Sequence, residues 1–322
     1  MQRRHLLQAA SAAIALPRLA FAQSFPAKPI RYIVPVAAGG GNDMIARVVG
    51  ERWGRALGQA FVIENLGGGG GVLASQTTAH AAADGYTLMQ GYVATHGTNP
   101  ATRKVPYDAV KDFTPIGMIG ATPNVLAVTS SLPVKTVAEF VDYVKKNPGK
   151  VNYGSAGQGS LTHLTMELFK IETGTEMTHV PYRGIAPAIN DVLGGQTQAM
   201  FPGLAAALPH LRSGRMRALA VTGNTRNAQI KDVPTLDEAG LQGFDAMQWY
   251  GSVGPAGLPA DVVKRLNETQ VAVLQAPDLR EKLASEAVEP WPMSPTEFGD
   301  YIKSEIARWT KVARARNIHL DE

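Results

Sequence analysis

The sequence has no cysteine among its 322 residues, which excludes disulfide bonds and thiolate metal sites and leaves the redox compartment undetermined. Charged residues are few, at 18%, and aromatic residues reach only 7%. Hydrophobic residues make up 45% of the chain, with 33 glycines and 21 prolines. This composition is typical of a globular, loop-rich protein, and the length allows two domains of ordinary size.

Signatures of nucleic-acid, phosphate and metal binding are missing as well. No block of Lys and Arg of the kind that binds nucleic acid is present. Neither glycine run is followed by Gly-Lys-Ser/Thr, and residues 39–44 lack the third glycine of a dinucleotide fingerprint. The seven histidines are scattered, without His-x-x-x-His spacing. We therefore expect no metal site, no cofactor and no nucleic-acid partner.

The N-terminus has the pattern of a secretory signal. An Arg-Arg pair at 3–4 precedes an apolar stretch over residues 6–16, and residues 20–22 read Ala-Phe-Ala, a small-x-small cleavage pattern. A membrane anchor is disfavoured because the apolar stretch is too short to span a bilayer and Arg18 interrupts it. Residues 1–22 are thus predicted to be a signal peptide, loosely similar to a twin-arginine signal, and the mature protein to be periplasmic. Three of the 31 basic residues and none of the 27 acidic residues lie in this segment, so the mature chain is nearly neutral.

Residues 30–47 predict a strand, a glycine turn and a helix. Residues 30–36 form an apolar, β-branched run typical of a buried strand, and apolar residues follow the glycines at helical spacing, with Asn42 as the predicted N-cap. Such a turn leaves several backbone N–H groups free beside the positive end of a helix dipole. A carboxylate or another small anion suits it; the alternative is a plain strand-to-helix turn without a ligand.

Strand and helix patterns alternate in two series, which predicts an α/β fold of two lobes around a ligand cleft, followed by a helical tail on the first lobe. The predicted crossings lie near Thr122 and Gln248. Lobe 1 is predicted to comprise residues 23–121 plus 250–322, and lobe 2 residues 122–249. Residues 99–115 contain few apolar runs and are predicted to form a surface connection.

A second strand, Gly/Ser loop and helix start occur at residues 153–163. Ser155 and Ser160 add hydroxyl donors, so this loop and the first could hold a carboxylate between them as the cleft closes. The alternatives are a simple helix cap by Ser160 and an exported hydrolase that uses Ser160 and His163. The hydrolase is disfavoured because no orienting acid can be named, and residues 154–157 lack the spacing of a nucleophile elbow.

A series of ordered motifs, from residue 30 to the C-terminal helix, resembles the extracytoplasmic solute receptors of tripartite tricarboxylate transporters, often called Bug proteins. They read Val34-Pro-Val-Ala-Ala-Gly-Gly-Gly-Asn-Asp, Asp84-Gly-Tyr-Thr-Leu, Pro106-Tyr-Asp, Asn147-Pro-Gly-Lys, Tyr153-Gly-Ser-Ala-Gly, His179-Val-Pro-Tyr-Arg-Gly, Leu193-Gly-Gly-Gln and Asp232-Val-Pro-Thr. The resemblance implies a type II periplasmic-binding-protein fold that closes on a small organic carboxylate. It further implies that the protein has no enzymatic activity, is a monomer, and delivers its ligand to the membrane permease subunits. A receptor that signals without feeding transport would have the same motifs.

The resemblance also implies site residues. Backbone amides are expected from Ala37, Ala38, Gly39 and Gly40 in the first loop, and facing donors from Ser155, Ala156, Gly157 and Ser160 in the second loop. Thr95 is expected at the cleft, and Tyr182 as its hinge-side wall. Trp249 is the expected aromatic residue near the return crossing, for which hinge packing is the alternative.

Two departures from the family pattern bear on the ligand. Pro202-Gly203 follows Met200-Phe201 where relatives usually have an acid, and Tyr92-Val93 replaces small hydroxyl residues. Both changes make the expected pocket less polar. The hypothesis is therefore a carboxylate with an apolar or aromatic body rather than an amino acid.

Overall fold

The architecture is taken from a computed structural model that describes residues 25–320. The predicted signal peptide lies outside the described residues. Within them, the strands are β1 (Ile30–Val34), β2 (Phe61–Asn65), β3 (Thr87–Tyr92), β4 (Phe113–Pro123), β5 (Val125–Thr129), β6 (Asn152–Ser155), β7 (Thr178–Pro181), β8 (Ala199–Met200), β9 (Met216–Val221), β10 (Met247–Pro255) and β11 (Glu289–Pro290).

The α-helices alternate with these strands and then end the chain. They are α1 (Gly41–Leu57), α2 (Val72–Ala79), α3 (Asn99–Thr102), α4 (Val137–Lys146), α5 (Leu161–Thr173), α6 (Ile185–Leu193), α7 (Leu204–Arg212), α8 (Ala260–Leu274), α9 (Pro277–Ser285) and α10 (Pro295–Ala315). Across residues 25–320, no helix combines the length and the apolar character that crossing a bilayer requires.

The strands form two mixed sheets. The first has the order β11-β4-β10-β3-β1-β2, and the second has the order β7-β6-β8-β5-β9. The parallel pairing predicted for the early strands is confirmed, since β1 is parallel to both β2 and β3. In contrast, β10 runs antiparallel to its neighbours β3 and β4, and β5 runs antiparallel to β8 and β9. The fold is thus α/β, as predicted, with antiparallel strands added to each parallel set.

The chain passes from the first sheet to the second at Asn124 and returns through β10. The two passages are bonded to each other. Thr222 N–H donates to the Asn124 carbonyl at 2.8 Å, and Asn124 N–H donates to Thr222 Oγ1 at 2.9 Å. The same Thr222 hydroxyl donates to the Ala246 carbonyl at 2.8 Å. One threonine therefore joins both passages.

The registers bring the carboxyl ends of both parallel strand sets to these passages. In the first sheet, Tyr250 near the start of β10 is paired with Tyr92 at the end of β3. In the second sheet, Val125 N–H at the start of β5 donates to the Pro202 carbonyl just after β8, at 2.9 Å. The carboxyl edge of parallel strands is where open α/β sheets bind ligands. Both edges lie at the crossing between the sheets.

Helices α8 and α10 cover the first sheet, which agrees with the predicted helical tail. Helix α10 begins with a capping box of Ser294 and Glu297, which satisfies two amides of its first turn. It packs on β4 and α3 and also reaches α5 beside the second sheet. Helix α10 therefore contacts both halves of the molecule, the first built on the sheet that contains β1 and the second on the sheet that contains β6.

The prediction of a surface connection over residues 99–115 is wrong at both ends. Asn99 begins helix α3 and is 3% exposed, and β4 begins at Phe113. The polar residues that suggested a surface are used internally. Asn99 Nδ2 donates to the Gly70 carbonyl at 2.8 Å, and Tyr107 Oη donates to the Thr95 carbonyl at 2.8 Å.

Candidate functional site

The first loop, residues 35–40, follows β1 at the carboxyl edge of the first sheet. Ala37, Ala38, Gly39 and Gly40 are all exposed. Gly39 has a φ of +92°, which an L side chain rarely adopts, so the turn requires glycine there. Its N–H donates to Asp43 Oδ2 at 2.9 Å. The N–H groups of Ala37, Ala38 and Gly40 have no partner within residues 25–320.

The predicted N-cap at Asn42 is wrong. Gly40 is the N-cap of α1, without a side-chain cap, and Asn42 lies inside the first turn. Its neighbour Asp43 bonds back to the loop instead, because a carboxylate one residue further along the turn can reach the Gly39 amide. The Asn42 side chain is buried, and its Nδ2 has no partner in the part of the chain described here.

Asp43 stays ionised at the base of the first loop. Arg47 Nε lies 3.0 Å from Oδ2, and Asn65 Nδ2 donates to Oδ1 at 2.9 Å. The ion-pairing hydrogen bond from Arg47, followed by those from Gly39 and Asn65, lowers the pKa of Asp43 to about 2. Three hydrogen bonds therefore fix the Asp43 carboxylate, one of them from the loop itself, and the amides of Ala37, Ala38 and Gly40 stay free.

A second glycine segment, residues 67–71, supports the first loop from behind. A Cβ at Gly67 would lie 2.8 Å from Ala37 N, and one at Gly71 would lie 2.6 Å from Thr95 Cγ2. Neither position can hold a larger residue without displacing the loop or Thr95. The predicted site did not include this segment; its run of five glycines was the available signal.

Thr95 lies in a π-helical turn, Ala94–Thr98, at the end of β3. Such turns are frequent at functional sites. The Thr95 side chain is fully buried, and its Oγ1 bonds to the Tyr92 backbone and to His96 Nδ1 at 2.9 Å. Burial lowers the pKa of His96 to about 3, so its ring is neutral at pH 7. In this conformation Thr95 supports the turn behind the glycine segment.

The second loop, residues 156–160, joins β6 to α5, and most of its polar groups bond within it. Ser155 is fully buried; its Oγ accepts Gly157 N–H at 3.1 Å and lies 2.6 Å from His179 Nε2. Ala156 N–H donates to Thr162 Oγ1 at 2.9 Å. Ser160 caps α5, as the simpler alternative predicted, and its hydroxyl donates to the Gly157 carbonyl at 2.6 Å.

Tyr182 lies beside the second loop. Its N–H donates to the Ser155 carbonyl at 3.1 Å, and its hydroxyl donates to Asp191 Oδ2 at 2.5 Å. Burial, and then the Asp191 carboxylate, raise the pKa of Tyr182 to about 12. A Cβ at Gly157, where φ is +127°, would lie 3.2 Å from the Tyr182 carbonyl, so these residues form one group.

The second loop touches the first half of the molecule at Gly159. A Cβ there would lie 3.0 Å from Thr102 Oγ1 and 2.8 Å from Leu320 Cδ1. Thr102 belongs to α3, which directly follows the turn that carries Thr95. The structure thus brings the second loop against the segment after Thr95.

Trp249, in β10, packs against helix α10. Its indole is fully buried, and Nε1–H donates to Glu305 Oε2 at 2.9 Å. The ring meets Phe298 edge-on, with centroids 5.7 Å apart, and Tyr301 at 5.8 Å. These contacts are those of the packing alternative.

The positions that depart from the family pattern are buried at the crossing. Tyr92 and Val93 are 9% and 1% exposed, and Gly203 forms an isolated antiparallel bridge with Asn124. Asn124 is fully buried, and neither polar atom of its amide has a partner within residues 25–320. Sequence reasoning missed this residue, because nothing local marks an asparagine whose surroundings come from another sheet.

The pair considered for hydrolysis is engaged otherwise. His163 Nδ1 accepts Gly159 N–H at 3.1 Å, while the Ser160 hydroxyl donates to a carbonyl. A nucleophile and its base bond to each other, and these two side chains bond to the loop instead. Among the described residues, no three His, Asp or Glu side chains lie close enough together to share a metal ion.

Comparison with known proteins identifies relatives over most of the chain. Residues 45–318 match the family described as "Tripartite tricarboxylate transporter family receptor". Protein BugT of Bordetella pertussis is 34% identical over 311 residues, which cover 95% of this chain and 94% of BugT. A structure of an R. palustris protein with adipate has a TM-score of 0.81 at 38% identity and covers 92% of this chain and 99% of that one. A structure of MatC from Rhodopseudomonas palustris with bound malate has a TM-score of 0.76 at 34% identity, and the match covers 89% of this chain and 99% of MatC.

Proposed function

Because the chain belongs to the tripartite tricarboxylate transporter receptor family, we propose that it is a periplasmic receptor that captures a small organic carboxylate between two lobes and delivers it to a membrane permease. In this proposal the protein binds its ligand without turning it over and works as a monomer. A sensor that binds the same ligand without supplying a permease is the second form of this function.

The observation that carries the proposal is the set of free amides in the first loop. Ala37, Ala38 and Gly40 expose N–H groups at the start of α1, a helix of 17 residues whose dipole favours an anion at this end. Asp43 holds the turn through Gly39 and leaves the neighbouring amides open. A carboxylate of the ligand would bind there.

The two lobes are proposed as residues 23–121 plus 250–322 and residues 122–249. The sheet memberships support this division, because β4 and β10 belong to the first sheet and the strands between them to the second. Of the remaining predicted site residues, we retain Ala156, Gly157 and Ser160 as the facing surface and Tyr182 as its wall. Ser155 and Thr95 act from behind these surfaces, since both are fully buried.

For the ligand we propose a carboxylate with an apolar body. The buried Tyr92, Val93 and Pro202 at the crossing carry no charge that could pair with an ammonium group. Adipate, present in one of the related structures, joins two carboxylates by an apolar chain, whereas malate, present in the other, is short and carries a hydroxyl. Adipate therefore fits the proposal better than malate does.

The test is a thermal-shift screen of the mature protein against mono-, di- and aromatic carboxylates, followed by titration calorimetry. A ligand at 100 times its dissociation constant stabilises the folded state by about 2.7 kcal/mol, which raises the unfolding midpoint visibly. An esterase assay with Ser160→Ala as control would distinguish a receptor from a hydrolase, because a receptor has no turnover to lose. If no carboxylate raises the midpoint and native mass spectrometry finds no bound guest, the proposal is wrong.

The structure offers a matched pair of variants for this screen. Gly39 and Gly58 stand at the two ends of α1, both with positive φ (+92° and +74°) and both with open space around an added Cβ. Alanine at either position should strain the backbone similarly. We expect Gly39→Ala to lose the carboxylate-induced shift and Gly58→Ala to keep it.

A further inference from the structure

Two histidine rings are stacked beneath the second loop. The imidazoles of His163, in α5, and His179, in β7, have centroids 3.8 Å apart and planes 7° from parallel. The Tyr153 ring stacks on His179 at 4.9 Å. Each histidine also bonds to a different end of the loop region. The stack therefore lies where it can fix the shape of the loop.

The bond made by His163 defines its protonation. Gly159 N–H donates to His163 Nδ1 at 3.1 Å, so Nδ1 carries no proton and the ring is neutral with its hydrogen on Nε2. Gly159 has a φ of +72° and touches Thr102 across the crossing. His163 thus holds the residue through which the second loop meets the first half of the molecule.

His179 acts on the other end of the loop through Ser155. Its Nε2 lies 2.6 Å from Ser155 Oγ, and the same oxygen accepts Gly157 N–H at 3.1 Å. Gly157 has a φ of +127°, which glycine can adopt, and this hydrogen bond favours that one conformation of the loop. The imidazole, the hydroxyl and the amide form one chain of hydrogen bonds.

We propose that His163 and His179 are positioning residues of the ligand site, which hold the second loop in its binding shape, and that the bond made by His163 requires a neutral imidazole. This inference rests on the proposed function, because it assigns the loop to the carboxylate site. Neither histidine touches the ligand in this account. His163 acts through Gly159, and His179 acts through Ser155 and Gly157.

The charged groups around the stack come from three elements. On α5, Glu167 and Lys170 form a buried pair at 2.8 Å, and the Tyr153 hydroxyl of β6 donates to Glu167. Arg316, beyond the end of α10, bonds to Glu167 and lies 2.7 Å from Glu176, which precedes β7. Two cations and two carboxylates thus offset one another, and within residues 25–320 neither histidine is bonded to an acid.

The neutral state follows from this environment. Burial is the main cause that lowers the pKa of His179 to about 3. His163 and Lys170 lower this pKa as well, and together they outweigh Glu167, which raises it. Burial likewise lowers the pKa of His163 to about 4. A proton on His163 Nδ1 would turn the acceptor of Gly159 N–H into a second donor, and the bond would be lost.

The experiment uses paired variants of the mature protein. His163→Asn keeps an acceptor where Nδ1 stands and His163→Phe removes it; His179→Gln keeps a polar group where Nε2 stands and His179→Phe removes it. Both phenylalanine variants keep an aromatic ring in the stack. Binding of adipate and malate is measured by calorimetry at several pH values, and hydrogen exchange of the Gly157 and Gly159 amides is measured without ligand.

We expect each phenylalanine variant to bind the better of the two acids about tenfold more weakly, since one hydrogen bond is worth on the order of that factor. The Gly159 amide should exchange faster in His163→Phe, and the Gly157 amide in His179→Phe. His163→Asn and His179→Gln should restore most of both properties. Wild-type affinity should fall as the pH approaches 4, and this fall should be smaller in the double Asn/Gln variant.

Unchanged affinity and unchanged amide exchange in both phenylalanine variants would overturn the inference. If wild-type protein binds neither these acids nor any other carboxylate, the proposed function fails, and the exchange arm still reports whether the histidines hold the loop. Slow exchange retained in both phenylalanine variants would then reject the inference as well. Faster exchange would support the conclusion that the histidines hold the loop, but not that the loop binds a carboxylate.

Discussion

The carboxylate of Asp43 accepts the backbone N–H of Gly39 at 2.9 Å, which fixes the first loop from within the first turn of the helix that follows it. The oxygen that does so also pairs with Arg47 at 3.0 Å. A side chain buried behind the loop therefore determines which backbone amides remain free at its surface.

Removing this carboxylate should loosen the first loop. We expect Asp43→Ala to lower the free energy of unfolding by about 1–2 kcal/mol, since it leaves Asn65 and Gly39 donors without their acceptor. The carboxylate-induced thermal shift should fall as well. Asp43→Asn keeps one acceptor oxygen and should lose less of both. Chemical denaturation and the ligand screen measure the two effects, and equal behaviour of the two variants would contradict the assignment.

The stacked histidines predict acid sensitivity of the folded state. The pKa of His163 falls from an ordinary 6.5 to about 4, and that of His179 from 6.5 to about 3. Between these values the unfolded chain binds protons that the folded chain does not, so stability is fully present above pH 6.5 and is lost as the pH falls. By pH 5 the loss from His163 alone should be about 2 kcal/mol, and His179 adds to it. Denaturation midpoints at pH 7, 6 and 5 measure it, and a slope that the double variant His163→Asn/His179→Gln leaves unchanged would rule out these rings as its source.

The unpartnered amide of Asn124 predicts a substitution that stabilises the protein. Leucine has a similar shape and no polar atoms, so Asn124→Leu should raise the free energy of unfolding by about 1 kcal/mol, because an unbonded buried amide is removed. Thr222→Val is the control at the same crossing. It should lower stability, since Asn124 N–H and the Ala246 carbonyl both lose their partner. Loss of stability in both variants would show that the Asn124 amide is bonded in solution.

Removing the Arg316 side chain should lower the free energy of unfolding strongly. Glu167 has a side chain only 6% exposed, and removing one cation from it leaves buried charge poorly compensated. Arg316→Met should cost roughly 3 kcal/mol in the free energy of unfolding. Adding Glu167→Gln in the same chain should recover part of that loss. A double variant less stable than the single one would argue against the ion pair as the cause.

Features that depend on residues close together in sequence could be predicted, whereas features that depend on distant residues could not. Helix α4 has signals of the local kind, because the Thr136 side chain accepts the Glu139 N–H at its start and Asn147-Pro148 follows its end. Strand β4, in contrast, begins at Phe113, inside the stretch that was predicted to be a surface connection. Its ends are formed by pairing with β10, which lies more than a hundred residues later. Local signals do not report such pairing.

The same distinction holds at the candidate site. Glycine runs identified both loops, because left-handed turns need glycine wherever they occur. The partners of those loops could not be predicted. His179 lies 24 residues beyond Ser155 in sequence, and only the parallel pairing of β6 and β7 brings them together. Asn42 and Asp43 are both suitable cap residues by type, but Gly40 is the N-cap, and Asp43 bonds back to Gly39 from inside the first turn.

The ion network around Glu167 also has a consequence for the order in which the molecule is completed. Its cation from outside the second half, Arg316, follows α10 and lies far beyond β9, the last strand of the second sheet along the chain. During synthesis, the second sheet is finished long before that arginine leaves the ribosome. Until then, Glu167 has only Lys170 to offset it in a buried setting. The second half of a nascent chain therefore lacks part of its stabilisation until Arg316 has been synthesised and has reached Glu167.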